Sequence, residues 1–428
     1  MWVTSLDVKQ NTNSNRVLFK NITAFSFLQL MNYAFPLLTI PYVVRVLGVE
    51  KFGLVSFVAA FVNYFTLLTD FGFNFSATRS ISINRDNPNR ITEILFSVYT
   101  IKAILFILSS ILFLLTILFV PVLNSEKELC LVSYLSVLGT MLLPQWYFQG
   151  VGKMSVITWV TFCVRITTVI LIFVLVHTVT DYKVYAFLNS AGGVLIGFLT
   201  FLFVIKNLRK NQPFNGTTFF SVLKEGSVMF ISNASINLYT SSNTFILGLF
   251  ASPTIVGYWA AADKIRIAIQ GILSPITQGF YPHLAHLFSQ SREKAIEFIK
   301  KSFLPIGIIG FIVSLSLLLF AEPISLLLLG KEFVNSLILV KIISFLPFVI
   351  LLSNFFGIQI LLNLNGSREF SFTVFIAGIF NLILSFIMVP KLLAIGTAIS
   401  VLMTEVIVTL LMIYFAQRRL RIEGNNEI

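Results

Sequence analysis

RVLGVEKFGLVSFVAAFVNYFTLLTDFGFNFSATRS, residues 45–80, decides how the rest of this chain is read. It holds a glycine-bearing turn between Gly48 and Gly53, a long apolar segment, and then a basic loop. Inside the apolar segment Ser56, Asn63, Thr66, Asp70 and Asn74 follow at spacings of 7, 3, 4 and 4, which places them on one face of a helix. A polar stripe with a carboxylate, cut into a segment this apolar, predicts a lined cavity inside a membrane.

Composition supports that reading. The 428 residues are 57% hydrophobic and only 11% charged, with a mean hydropathy of +0.90. Soluble domains carry about 25% charged residues, so the soluble class is excluded. Forty-five Phe suit a lipid-facing surface because they need no polar partner. The first twenty residues are polar and basic (Lys9, Arg16, Lys20) with no small-residue cleavage site after them, which predicts a retained first helix and no cleaved signal peptide. A net charge of +12 would suggest nucleic acid in a soluble chain. Here the basic residues sit in short loops between apolar segments, the pattern that orients a membrane protein, so no nucleic-acid partner is expected. Cys130 and Cys163 both fall in apolar segments and imply no disulfide framework.

Apolar runs of about 20 residues between polar breaks predict about twelve membrane helices. They lie near 22–47, 53–76, 92–119, 129–149, 155–177, 185–205, 227–250, 255–282, 298–321, 333–363, 370–389 and 392–416. The N-terminus and every second loop hold nineteen Lys and Arg; the opposite loops hold five, at Lys51, Lys127, Lys183, Lys331 and Lys391. That asymmetry predicts both termini in the cytoplasm. The halves echo each other: 46–57, VLGVEKFGLVSF, resembles 246–259, ILGLFASPTIVGYW. The expected fold is therefore an all-α membrane protein in two pseudo-symmetric six-helix lobes. The expected boundaries are a lobe over 1–205, a cytoplasmic linker over 206–226, a lobe over 227–416 and a cytoplasmic tail over 417–428. Repeated halves of this kind place a substrate site between lobes.

Other stripes supply candidate chemistry. On the eighth helix Tyr258, Ala262, Arg266, Gln270 and Ser274 recur every fourth residue. Arg266 either lines a cavity or pairs with Asp263 or Glu405. The fifth helix carries Thr158, Thr161, Arg165 and Thr168 on one face, and the seventh carries Asn233, Asn237, Ser241 and Thr244. The first helix offers Gln29, Asn32, Tyr33, Pro36 and Pro41 before Arg45. Lys102 either faces the cavity or pairs within the fold. The candidate substrate contacts are thus Arg266, Arg165, Arg45, Lys102, Asn63, Asn233, Asn237 and Gln270. Four isolated cations against the two carboxylates Asp70 and Glu405 make a cationic cavity, which suits a phosphate or pyrophosphate. Asp70, with Glu405 behind it, is the candidate for coupling to a proton or sodium gradient; the alternative is an Asp70 fixed by Asn63, Asn74 or a neighbouring Arg. His283 and His286 lack nearby ligands for a metal site. No phosphate loop, dinucleotide fingerprint, HExxH or GxSxG occurs, and no extramembrane segment exceeds about twenty residues, so no catalytic residue or cofactor is expected.

The run PYVVRVLGVEKFGLVSF (41–57), then LTDFGFNFSATR (68–79) and LLPQWYFQG (142–150), resembles the Wzx-type O-antigen flippases. These form the polysaccharide branch of the multidrug/oligosaccharidyl-lipid/polysaccharide (MOP) exporter superfamily, with a MATE-like fold. The resemblance implies a flippase that moves an undecaprenyl-pyrophosphate-linked repeat unit across the bacterial inner membrane by ion-driven alternating access. It also implies the bilayer, the lipid-linked oligosaccharide, and a polysaccharide polymerase and chain-length regulator as partners. A multidrug antiporter of the same superfamily would share this architecture but favour an acidic cavity. A membrane polymerase would be expected to carry catalytic arginines on a large outer loop, and a lipid II flippase two further helices.

Overall fold

The computed structural model describes residues 4–206 and 216–425, all of whose regular structure is helical. The side chains of Asn32, Tyr33, Ser274, His283 and His286, and the 207–215 part of the linker, lie outside the described residues. In chain order the helices are α1 (Thr4–Asp70), α2 (Phe73–Ile83), α3 (Pro88–Phe119), α4 (Pro121–Ser125), α5 (Lys127–Leu142), α6 (Gln145–Gly150), α7 (Met154–Leu175) and α8 (Tyr182–Lys206). There follow α9 (Gly216–Thr240), α10 (Ser242–Phe250), α11 (Pro253–Gln290), α12 (Arg292–Leu319), α13 (Ala321–Leu328), α14 (Ser336–Ile343), α15 (Leu346–Asn354) and, after a π-helical stretch over 355–361, α16 (Ser367–Asn425).

Eight helical stretches among the described residues are long and apolar enough to cross a membrane. Two of them, over 27–83 and 367–421, are more than twice the length of one crossing. Each is interrupted by residues whose backbone leaves the helix. Gly48 (φ 68°, ψ 174°) breaks α1, and Leu393 (φ 50°, ψ −126°) breaks α16. The second break falls three residues after Pro390, where the sequence places it. It is tight enough that a Cβ on Gly396 would lie 2.5 Å from the Met388 carbonyl oxygen.

A further break was not expected. The predicted helix over 53–76 ends at Asp70, because Phe71 (φ 49°) and Gly72 (φ 76°) are left-handed. Gly72 is pressed against α9, where a Cβ would stand 2.7 Å from Met229 Cβ. The 56–74 stripe is therefore not one continuous helix face, although its last two members still meet.

The chain forms two compact units, residues 1–39 with 61–233 and residues 40–60 with 234–428. The first is built around Phe73, Ile81, Leu95, Val98, Trp146 and Phe148. In it α5 and α8 pack backbone to backbone: Cβ atoms on Gly139 and Gly197 would lie 2.7 Å from Gly193 C and 2.5 Å from Gly139 O. Helices in lipid gain little from burying apolar surface, so small residues that admit close approach carry the association. The start of α9 joins this unit through Ser80 Oγ, which donates to Glu225 at 2.9 Å, and Thr218 Oγ1, which donates to Glu93 at 3.1 Å. Outward, α3 presents Ile104, Leu108, Ile111, Leu115 and Leu118 along one exposed side.

The second unit is built around Phe355, Leu361, Ala377, Val408 and Met412. The echoed segments of the two sequence halves meet inside it. A Cβ on Gly53 would lie 1.9 Å from the Pro253 carbonyl oxygen, and one on Gly257 would lie 2.1 Å from the Val49 carbonyl oxygen. Each glycine thus faces the carbonyl four residues before the other, a reciprocal crossing about a local two-fold axis. Phe57 stacks on Phe245 beside it, with ring centres 5.6 Å apart and planes 4° from parallel.

Candidate functional site

Within the first unit, the end of α1 and the middle of α3 bring Asp70 and Lys102 together. Lys102 is fully buried. Its ammonium donates to the Thr140 carbonyl at 2.8 Å and stands 3.9 Å from Asp70 Oδ1. Asn74, two residues beyond the left-handed Gly72, donates to both Asp70 oxygens at 3.0 and 3.1 Å. A buried charge in a membrane must be paired and hydrogen-bonded, and this one is. Asn63 lies half-buried on the same helix as Asp70. The sequence names Asn74 as a possible partner of Asp70 but gives no sign that Lys102, 32 residues away, is the cation that answers it.

Arg165 sits in the middle of α7, half-buried on the face shared with the buried Thr158, Thr161 and Thr168. The hydroxyls of Thr158 and Thr168 donate back to the Met154 and Val164 carbonyls at 2.9 Å each. Among the described residues Arg165 makes no hydrogen bond or ion pair, and the ionisable group within its electrostatic reach is the Tyr185 phenol on α8.

In the second unit, Arg266 of α11 donates through Nε to Asp263 Oδ1 at 2.7 Å and through a terminal nitrogen to Gln270 Oε1 at 3.1 Å. All three lie on one stretch of helix at i, i+3 and i+4 spacing. Glu405 of α16, buried, is within electrostatic reach of Arg266 without an ion pair to it. Arg45 is placed elsewhere: it is exposed, and its guanidinium donates to the Leu327 carbonyl at the end of α13. A cation at that position completes unsatisfied carbonyls and meets the negative end of the helix dipole. Asn233 and Asn237 lie half-buried on α9, and Ser241, just past its end, donates to Asn237 Oδ1 at 3.3 Å.

A layer that the sequence reading did not single out crosses the same unit. Ser385 donates to Asn243 Oδ1 at 3.2 Å and Asn381 to Thr404 Oγ1 at 3.1 Å, all four fully or nearly fully buried. Their spacing within the apolar runs was the available signal, since Asn381 and Ser385 are one helical turn apart.

Apolar membrane-length helices, with paired charges held inside two compact helical units, mark a multi-pass membrane protein. The same fold occurs in an inward-facing multidrug resistance MATE family transporter (TM-score 0.66, 13% identity, covering 92% of this chain and 96% of that one). It occurs also in the lipid II flippase MurJ in an inward closed conformation (TM-score 0.68, 15% identity, covering 93% and 87%). Sequence likeness is narrower. The polysaccharide biosynthesis protein family matches residues 18–288, and the chain belongs to that family. Proteins named "Putative O-antigen transporter" from Escherichia coli (strain K12) and Shigella dysenteriae are 35% and 29% identical to it, over 95% and 92% of this chain and 98% of each of theirs. By class the chain is a membrane transporter rather than an enzyme.

Proposed function

We propose that this protein flips a lipid-linked oligosaccharide, the undecaprenyl-pyrophosphate-bound O-antigen repeat unit, from the cytoplasmic to the periplasmic face of the bacterial inner membrane. The carrying observation is full-length similarity, at 35% identity, to a protein bearing the name of an O-antigen transporter. Chemistry inside the helices supports it. A headgroup that carries a pyrophosphate needs a cationic donor at membrane depth, and Arg165 of α7 supplies one. In this reading the sugars and pyrophosphate cross in a polar cleft while the polyprenyl tail stays in lipid.

In this reading the apolar runs make twelve crossings, and the distribution of Lys and Arg puts both termini in the cytoplasm. Coupling to a proton or sodium gradient would fall to Asp70, whose bond to a buried lysine is the kind a bound cation can replace, or to Glu405. A polysaccharide polymerase and a chain-length regulator would take the flipped unit on the outer face. The test is deletion of the gene in a strain that displays surface polysaccharide. Undecaprenyl-linked repeat units stranded on the inner face, relieved by the plasmid-borne gene, are expected; normal surface polysaccharide in the deletion strain would overturn the function.

A further inference from the structure

Three of the four cations that the sequence places in the membrane are already engaged. Lys102 is held by the Thr140 carbonyl and Asp70, Arg266 by Asp263 and Gln270, and Arg45 by the Leu327 carbonyl. Arg165 is different. At about 100° per residue, Thr158, Thr161, Thr168 and Ile172 all lie within about 60° of Arg165 around α7. Those four are buried, while Trp159, Ile170 and Val174, about 120° or more away, are exposed. Arg165 therefore lies on the inward face of its helix, toward one edge of it. It keeps partial access there and has no hydrogen-bond or ion-pair partner among the described residues.

A guanidinium offers five N–H donors, accepts nothing and stays charged. Left unanswered on the inward face of an apolar helix it is costly, so its place is explained by what it is there to meet. The hydroxyls of Thr158 and Thr168 donate to their own helix, and Arg165 is the one cation of this stripe. Its planar fork matches two oxygens of one phosphoryl group, a geometry a lysine ammonium does not reproduce.

We infer that Arg165 is the residue that grips the phosphoryl oxygens of the translocated anion, whereas Lys102, Arg266 and Arg45 serve pairs within the fold. The inference rests on the reading of the substrate as a pyrophosphate-linked lipid. The shared chemistry is a pyrophosphate, whether on a polyprenyl lipid or free in water.

The test is binding of undecaprenyl pyrophosphate to the full-length protein in neutral phosphatidylcholine nanodiscs, with inorganic pyrophosphate as competitor. Arg165→Gln is expected to weaken binding at least tenfold with an unchanged melting temperature, Arg165→Lys to weaken it less, and Arg266→Gln to stay within threefold of wild type. Competition by inorganic pyrophosphate would assign the grip to the phosphates alone; its absence would make the lipid part of the ligand. Should Arg165→Gln melt early, Arg165→Lys carries the comparison. Wild-type affinity in a folded Arg165 variant, or an equal loss in Arg266→Gln, would overturn the inference alone. Failure of the wild-type protein to bind the lipid would instead overturn the substrate reading on which it rests.

Discussion

The two compact units solve the same two problems by different means. Each must hold a charge inside an apolar body, and each must bring helices close without a strong hydrophobic drive. In the first unit Asp70 and Lys102 come from different helices, and the lysine side chain is only 1% exposed. In the second, Arg266 and Asp263 are neighbours on one helix, with side chains 17% and 21% exposed. The first pair is part of the tertiary structure: Lys102 is not satisfied unless α1, α3 and α5 are docked. The second forms as soon as α11 does. Glycine crossings differ likewise. Gly139 and Gly197 join neighbouring helices of one sequence half, while Gly53 and Gly257 join the two echoed turns across the halves.

The contrast breaks most visibly at the charges. Lys102→Met should leave the Thr140 carbonyl without its donor and Asp70 with only Asn74. Removing one partner of a buried pair costs about 3–5 kcal/mol, so a large fall in melting temperature in detergent is expected. Adding Asp70→Asn should restore most of it, because no buried charge is then left uncompensated. Arg266→Met removes a local i, i+3 pair that keeps more solvent access than Lys102 and should cost less. Equal losses at Lys102 and Arg266 would erase the distinction between the units.

That distinction also marks how far the sequence could be read. Composition, run lengths and the 46–57 echo of 246–259 were enough for a helical membrane protein with repeated halves, because each depends on local pattern alone. Arg266 with Asp263 was readable too, being an i, i+3 pair. Lys102 with Asp70 was not, since nothing in the spacing of residues 32 apart tells which helices dock. The break after Asp70 was hidden for a similar reason. FGF in an apolar run reads as helix, and only the approach of α9 to within a Cβ's width of Gly72 shows why the backbone turns there. The assignment of 40–60 to the second unit is equally a product of tertiary packing.

The glycine crossing offers the next, smaller effect. A Cβ at Gly257 would meet the Val49 carbonyl oxygen at 2.1 Å, and backbone on both sides leaves no flexible side chain to move aside. Overpacking of this kind costs about 1–3 kcal/mol. Gly257→Ala and Gly53→Ala should therefore each lower the melting temperature, and by similar amounts, because the contact is reciprocal. Gly307→Ala is the control in the same unit: nothing lies within 4 Å of its Cβ position on α12. There the better helix propensity of alanine should leave stability unchanged or raised. A loss at Gly257 without one at Gly53 would show that the two-fold relation does not extend to the energetics.

The smallest effect is expected at Arg45, and its smallness is informative. The sequence makes Arg45 a membrane cation like Lys102, yet the fold leaves it exposed, with its stem near Gly330 and its guanidinium on the Leu327 carbonyl of α13. An exposed cation at a helix C-terminus is worth about 0.3–1 kcal/mol, and salt screens it. Arg45→Ala should thus shift the melting temperature slightly at low salt and not at all at high salt. Arg45→Lys should restore the shift, since any cation at the helix end serves. A salt-independent loss comparable to that at Lys102 would mean that Arg45 is held as a buried charge, and would place the second unit's cation beside the first unit's rather than opposite to it in kind.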